Sequence, residues 1–241
     1  MSVIRKAKSN VLRWFPLAIL MLGFFLFFYF QLYKYVTIEN IKNHRHLLVK
    51  WTHENYLLAI ISYLIIYTSI IAISIPGALI FTMAAGFLFG TTWGTVLVLI
   101  SETVGSSILF YAIKISLSDW FEKRAGKWVK KMEKNFQNNA FSYILTLRLI
   151  PIIPFWVVNI VAALVGVELP TFMLSTFIGI IPLTIIYVSL GESLGSMFDA
   201  EQVSSLSILL QPHILFPLLV LSSLSILPGV YHYFKKKRNS S

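Results

Sequence analysis

Three ionisable residues stand inside or beside long apolar stretches of this sequence: Glu102 within the run 93–115, Arg148 just ahead of Pro151 and Pro154, and Glu168 just after Gly166. A charge at membrane depth costs roughly 2.5–3.5 kcal/mol on insertion scales, so each needs a partner or a purpose. Opposite sign and similar depth make Glu102 and Arg148 a candidate ion pair. Glu102 and Glu168 are also the acids available for proton coupling; the alternative for either is a charge that only fixes helix packing. Arg148 combines a fixed charge with backbone groups freed by two prolines. That combination suits phosphate, which a planar guanidinium binds through paired, charge-assisted bonds. Asn159 and Tyr187 are polar groups in apolar surroundings, placed either to line a site or to form interhelical hydrogen bonds worth about 0.6 kcal/mol. His44, His46 and His53 share one polar segment, but without a carboxylate at helical spacing no metal is assigned. There is no nucleophile elbow, zinc-protease helix, phosphate loop or dinucleotide glycine pattern, so neither enzymatic activity nor a cofactor is expected.

The composition says what must position these groups. Hydrophobic residues make up 57% of the 241 and charged residues only 12%, about half the charge of a soluble domain. Such a chain can neither cover a globular surface nor stay solvated as a disordered one. Charge-free windows of 20, 47, 19, 23 and 33 residues open after Arg13, Glu54, Arg148, Glu168 and Glu201. About 20 helical residues cross a bilayer, so the class is a polytopic, all-α membrane protein. The net charge of +10 sits at span ends, as the positive-inside rule requires, rather than on a face open to nucleic acid. The absence of cysteine excludes disulfides and thiolate-held metals.

Residues 1–55 read as a basic tail (Arg5, Lys6, Lys8, Arg13), a first span over Trp14–Tyr33 and a polar connector. In residues 56–191, two proline breaks interrupt the apolar run. The first, Ser74–Gly77, is followed by Gly86, Gly90 and Gly94, whose four-residue spacing would line one helix side and admit a second backbone. Pro76 to Gly90 reads as a helix–turn–helix hairpin or a short broken span. The second break, Ile150–Pro154, is followed by Gly166. A shift of 78 superposes Pro154 on Pro76 and Ala162-Ala163 on Ala84-Ala85, a weak internal repeat. Paired broken segments in corresponding halves point to a transporter-like core with two re-entrant hairpins. Between the halves, Leu117–Phe141 carries Trp120, Phe121, Trp128 and Phe136 on one face and six basic residues on the other, the pattern of a helix lying in the headgroup layer. Residues 192–241 supply a last span and the basic tail Lys235–Arg238. The basic counts place both termini in the cytoplasm.

The segment Leu147–Phe155, with Asn159, Gly166, Phe177, Gly179, Pro182, Tyr187 and Gly191, resembles the core of the SNARE-associated Golgi, or VTT-domain, proteins of the DedA superfamily. Pro76, Ala85-Gly86, Phe89-Gly90 and Gly94 match the proline-then-glycine first half of that family. The resemblance implies two facing re-entrant hairpins and a protein that moves lipids between leaflets. Eukaryotic relatives are similar to phospholipid scramblases, and bacterial ones to flippases of polyprenyl-phosphate carriers or proton-dependent transporters. Arg148, Pro151, Pro154, Asn159, Pro76, Gly86, Gly90 and Tyr187 would then line the substrate path, and the partners are membrane lipids with anionic or phosphate headgroups. Chain size and short tails suggest a bacterial plasma membrane; whether the chain forms a homo-oligomer stays open. The alternatives are a proton- or cation-coupled small-solute transporter using Glu102 or Glu168, and a non-transporting scaffold.

Overall fold

A computed structural model describes residues 2–124, 139–150 and 153–199 of the chain. Among these residues the protein is helical throughout: α1 Ser2–Tyr29, α2 Ile38–Asn43, α3 Arg45–Glu54, α4 Tyr56–Ile73, α5 Ala78–Arg124, α6 Ala140–Leu149, α7 Phe155–Leu164 and α8 Leu169–Asp199. Three stretches are long and apolar enough to cross a bilayer: Tyr56–Ile73, Ala78–Leu117 and Leu169–Leu194. Apolar runs Arg13–Tyr29, Ala140–Leu149 and Phe155–Leu164 are shorter. The last span and tail expected beyond Asp199, and most of the amphipathic helix expected at 117–141, lie outside the described residues. Leu117 to Arg124 continues α5 without a break.

The first span ends earlier than the charge pattern suggests. Its helix stops at Tyr29, and Gln31 turns into the left-handed region ahead of a 3-10 turn at Leu32–Lys34. α1 is fastened to the rest at three heights. The Ser116 hydroxyl donates to the Arg13 carbonyl at 2.7 Å, Gly23 packs on Ile73, and Phe27 is buried with Ala59 and Tyr63 in one core cluster.

The two breaks are where proline chemistry puts them. α4 closes on Ser74 in the left-handed conformation, and Gly77 follows with φ of 106°. The chain then folds back along α4: the Tyr63 hydroxyl donates to the Phe81 carbonyl at 3.1 Å, and Tyr67 meets Thr82 at 2.7 Å. It reverses again at Gly90, whose φ of 73° and ψ of 172° interrupt α5. A Cβ on Gly94 would lie 2.8 Å from the Ala85 carbonyl oxygen. Nine residues of straight helix would separate these two by about 13 Å, so 78–89 and the stretch after Gly90 are antiparallel arms. Gly86, Gly90 and Gly94 therefore do not share one helix face; the middle glycine is the turn.

In the second half α6 and α7, each of ten residues and hence about 15 Å long, also fold against each other. Asn139 and Ala140 at the start of α6 line the same cavity as Gly166 and Val167 after α7. Pro154 caps α7, and Gly166, with φ of 74°, ends the turn beyond it. Phe110 and Phe172 stack at 4.4 Å between ring centres and tie α5 to α8. α8 runs unbroken from Leu169 through Glu192, so the boundary expected at 191/192 falls inside a helix.

Candidate functional site

Arg148 is only 6% exposed, although it is the last charged residue before a break. It sits in the final turn of α6, where a cation faces the carbonyl end of the helix. Its Nη2 donates to Asn159 Oδ1 at 2.5 Å and to Thr176 Oγ1 at 3.1 Å. Its Nε reaches the same Thr176 oxygen at 3.4 Å, and Nη1 donates to the Phe155 carbonyl at 3.3 Å. The rings of Phe155 and Phe172 lie 5.9 and 5.6 Å from the guanidinium carbon, within cation–π range. Every one of these acceptors is neutral. Among the described residues no carboxylate forms an ion pair with Arg148.

The expected Glu102–Arg148 contact is thus replaced by a facing arrangement. Both residues line one cavity of about 260 Å³, together with Thr82, Ser106, Thr184 and Tyr187. Glu102 takes its hydrogen bond from the Tyr67 hydroxyl at 2.7 Å, and that hydroxyl also shares a 2.7 Å bond with Thr82 Oγ1. The lining of the cavity thus carries a cation, a carboxylate and several hydroxyls. Apolar residues make up the rest, among them Ala78, just after the first break, and Ile150, Ile153, Pro154 and Phe155 of and beside the second. Asn159 is fully buried; its Oδ1 serves Arg148, and its Nδ2 has no partner among the described residues.

The other expected site residues divide. Tyr187 borders the cavity, and Pro154 borders both it and an apolar groove next to it. Pro76 lies on that groove and not on the polar cavity. Gly86 is a packing residue: a Cβ there would stand 1.8 Å from the Val188 carbonyl oxygen of α8. Gly90 is the turn described above. Pro151 lies outside the described residues. Glu168 is exposed in the α7–α8 turn, which begins where the left-handed Gly166 ends the preceding helical turn. His44, His46 and His53 are exposed on or beside α3.

Three functional contacts were not read from the sequence. Thr176 shares the guanidinium, and nothing in its local pattern marks it. Tyr67 had a signal: Tyr56, Tyr63 and Tyr67 are spaced by 7 and 4, one helix face, and that face meets Phe89 and Glu102. Glu192 on α8 accepts bonds from the backbone N–H of Thr91, at 2.9 Å, and from its hydroxyl. A carboxylate from the second half thereby caps the helix that restarts after Gly90 in the first half.

The VTT domain family model matches residues 75–193, the stretch that holds both breaks, Glu102 and Arg148. Transmembrane protein 41B of Xenopus tropicalis is 29% identical over 196 residues, 79% of this chain and 68% of that protein. The transmembrane protein 41 homolog of Dictyostelium discoideum is 29% identical over 194 residues, 79% of this chain and 56% of its own length. That of Caenorhabditis elegans is 27% identical over 175 residues, 71% and 68% respectively. No solved structure matches the chain. The matched region holds the helices that build the Arg148 cavity, and this stretch of the chain, residues 75–193, is a VTT domain.

Proposed function

We propose that this protein moves lipids between the two leaflets of a membrane without ATP hydrolysis, as a scramblase or flippase of phospholipid or polyprenyl-phosphate lipids. The observation that carries the reading is Arg148: a buried guanidinium with neutral partners, lining a cavity bordered by the second helix break and by Ala78, just beyond the first. A buried cation without a directly paired carboxylate is costly in a bilayer. A phosphate headgroup entering the cavity would supply the directly bonded anion that Glu102, held by Tyr67, does not. Half-helices of about 15 Å reach only half-way across about 30 Å of hydrocarbon, which supports two re-entrant hairpins. The shared order supports a pseudo-repeat: α4, break, 78–89, Gly90 turn and long helix answer α6, break, α7, Gly166 turn and α8.

Leaflet-selective quenching of labelled lipids in liposomes, with and without a pH gradient, tests this. Gradient-independent exchange of several lipids is expected of a scramblase, and gradient-dependent, headgroup-selective movement of a coupled flippase. Silence with every lipid would sink the proposal. The Tyr67–Glu102–Thr82 cluster on the same cavity favours a second reading, a proton- or cation-coupled small-solute transporter, which that silence would promote. We read the chain as a conduit and not an enzyme.

The expected bacterial plasma membrane has no support in the relatives named above, which are eukaryotic. The cytoplasmic termini rest on basic charge alone. Reporter fusions at residues 1 and 241 should both give cytoplasmic signals; a C-terminus on the opposite side would overturn the count of crossings.

A further inference from the structure

Beside the polar cavity runs a larger apolar groove of about 840 Å³. Its outer wall is α1, through Leu17, Leu20, Met21 and Phe24, and its inner wall includes Leu109 and Ile113 of α5. The two spaces are continuous in their lining. Ala78, Pro154 and Phe155 border both. Phe155 is the partition: one side of its environment is the Arg148 guanidinium, 5.9 Å from the ring centre, and the other is the groove. The groove has an open side, since Met21, Leu79 and Trp156 are each nearly half exposed.

Resting on the lipid-translocation reading, we propose that one acyl chain of the transported lipid lies inside this groove, between α1 and the two breaks, while its phosphate meets Arg148 across the Phe155 partition. An amphiphile is the ligand that the joined spaces fit. The polar cavity offers a cation and hydroxyls at one end, and the groove offers an apolar trough within one residue of it. A soluble phosphate would use the cavity and leave the trough without a function. A chain free in the bilayer would have no need of α1, which lies outside the matched residues 75–193. Yet α1 is held over both breaks by Ser116, Ile73 and Phe27. Burying methylene groups is favourable by about 0.8 kcal/mol each when they leave water. They leave lipid here, so the groove adds position and selectivity for chain more than affinity. It keeps the chain beside the path while the headgroup crosses.

The test uses the full chain in liposomes with a long-chain phospholipid bearing a photoreactive diazirine half-way along one acyl chain. After illumination, peptide mapping should find adducts on 17–24 of α1 and 109–117 of α5. In parallel, the groove is filled with Leu20→Trp and Ile113→Trp, residues that border the groove and not the polar cavity. Translocation of a labelled long-chain phospholipid should fall at least tenfold in a variant that elutes as a monodisperse species. Adducts confined to the outward residues Ile65 and Leu174, or unchanged translocation by the folded variant, would overturn the acyl seat and leave the translocation reading standing. Wild-type protein that moves no lipid but still gives groove adducts would overturn that reading and leave a lipid-binding groove. The absence of both would overturn both. Since the adduct map is made on the wild type, it decides the matter even where the tryptophan variants fail to fold.

Discussion

Arg148→Lys is expected to fold and insert, yet to lose lipid translocation at least tenfold. The guanidinium spreads its donors over Asn159, Thr176 and the Phe155 carbonyl, and two phenylalanine rings lie 5.9 and 5.6 Å from its central carbon. A lysine ammonium keeps the charge but is compact and strongly hydrated; it cannot hold three neutral acceptors in that plane or offer phosphate paired bonds. A tenfold loss corresponds to about 1.4 kcal/mol, less than the discrimination that paired charge-assisted bonds ordinarily give over a point charge. Arg148→Ala should remove translocation altogether. It should also destabilise the fold by roughly 1–3 kcal/mol for each buried group left without a partner, chiefly Asn159, whose Nδ2 is already unpartnered. Glu102→Gln separates uncoupled scrambling from proton-coupled transport. Because Glu102 takes its bond from Tyr67 and not from Arg148, the amide should preserve folding. Under gradient-independent scrambling it should leave the rate within a few-fold; under proton coupling, of lipid or of solute, it should abolish the gradient dependence. The measurements are expression, thermal stability in detergent, and leaflet exchange for all three variants. Full translocation by a well-expressed Arg148→Ala protein would take Arg148 out of the site.

What the sequence made legible were features with a local physical cause. The charge-free windows after Glu54 and Glu168 reported spans because charges are excluded from hydrocarbon over about 20 residues, whereas the window after Arg148 holds, among the described residues, only the ten-residue α7. Pro76 and Pro154 reported breaks because proline removes a backbone donor, although Pro16 and Pro182 lie inside the continuous α1 and α8, so a proline alone does not place a break. Features set by contact between distant segments were not legible. Thr176 and Asn159, 28 and 11 residues from Arg148, reach it because of how α7 and α8 pack against α6. The cap of Glu192 on Thr91 spans 101 residues. The four-residue spacing of Gly86, Gly90 and Gly94 suggests one helix side, a reading that runs the helix through Gly90. Gly90 and Gly166 both take positive φ, the conformation in which glycine ends a helix.

The largest effect on folding is expected where the halves cross. Gly86 and Met83 of α5 meet Val188 and Gly191 of α8 as a reciprocal pair. A Cβ on Gly86 would stand 1.8 Å from the Val188 carbonyl oxygen, and one on Gly191 would stand 1.9 Å from that of Met83. Favourable contact needs about 3.5 Å. The obstructing atoms are backbone, so no rotamer change relieves them, and the helices must move apart. Small residues at such crossings let backbones approach where lipid provides no hydrophobic drive for association. Separation would also pull Glu192 from Thr91, one residue beyond the Gly191 contact, and widen the cavity lined by Thr184 and Tyr187 of the same helix. Gly86→Ala and Gly191→Ala should therefore each cost about 3 kcal/mol or more, at or above the upper end of ordinary overpacking. Because they strain one crossing, the double variant should lose clearly less than the sum of the two, as coupled neighbours do. Gly77→Ala provides the contrast. Its φ of 106° strains alanine, but the nearest obstruction is the end of the Val36 side chain at 3.8 Å, so the cost should stay near the 1–3 kcal/mol of a strained backbone position. Unfolding of the purified protein in mixed detergent, followed by circular dichroism, would rank the four variants. A Gly86→Ala or Gly191→Ala protein as stable as the wild type would mean that α5 and α8 do not cross at this point.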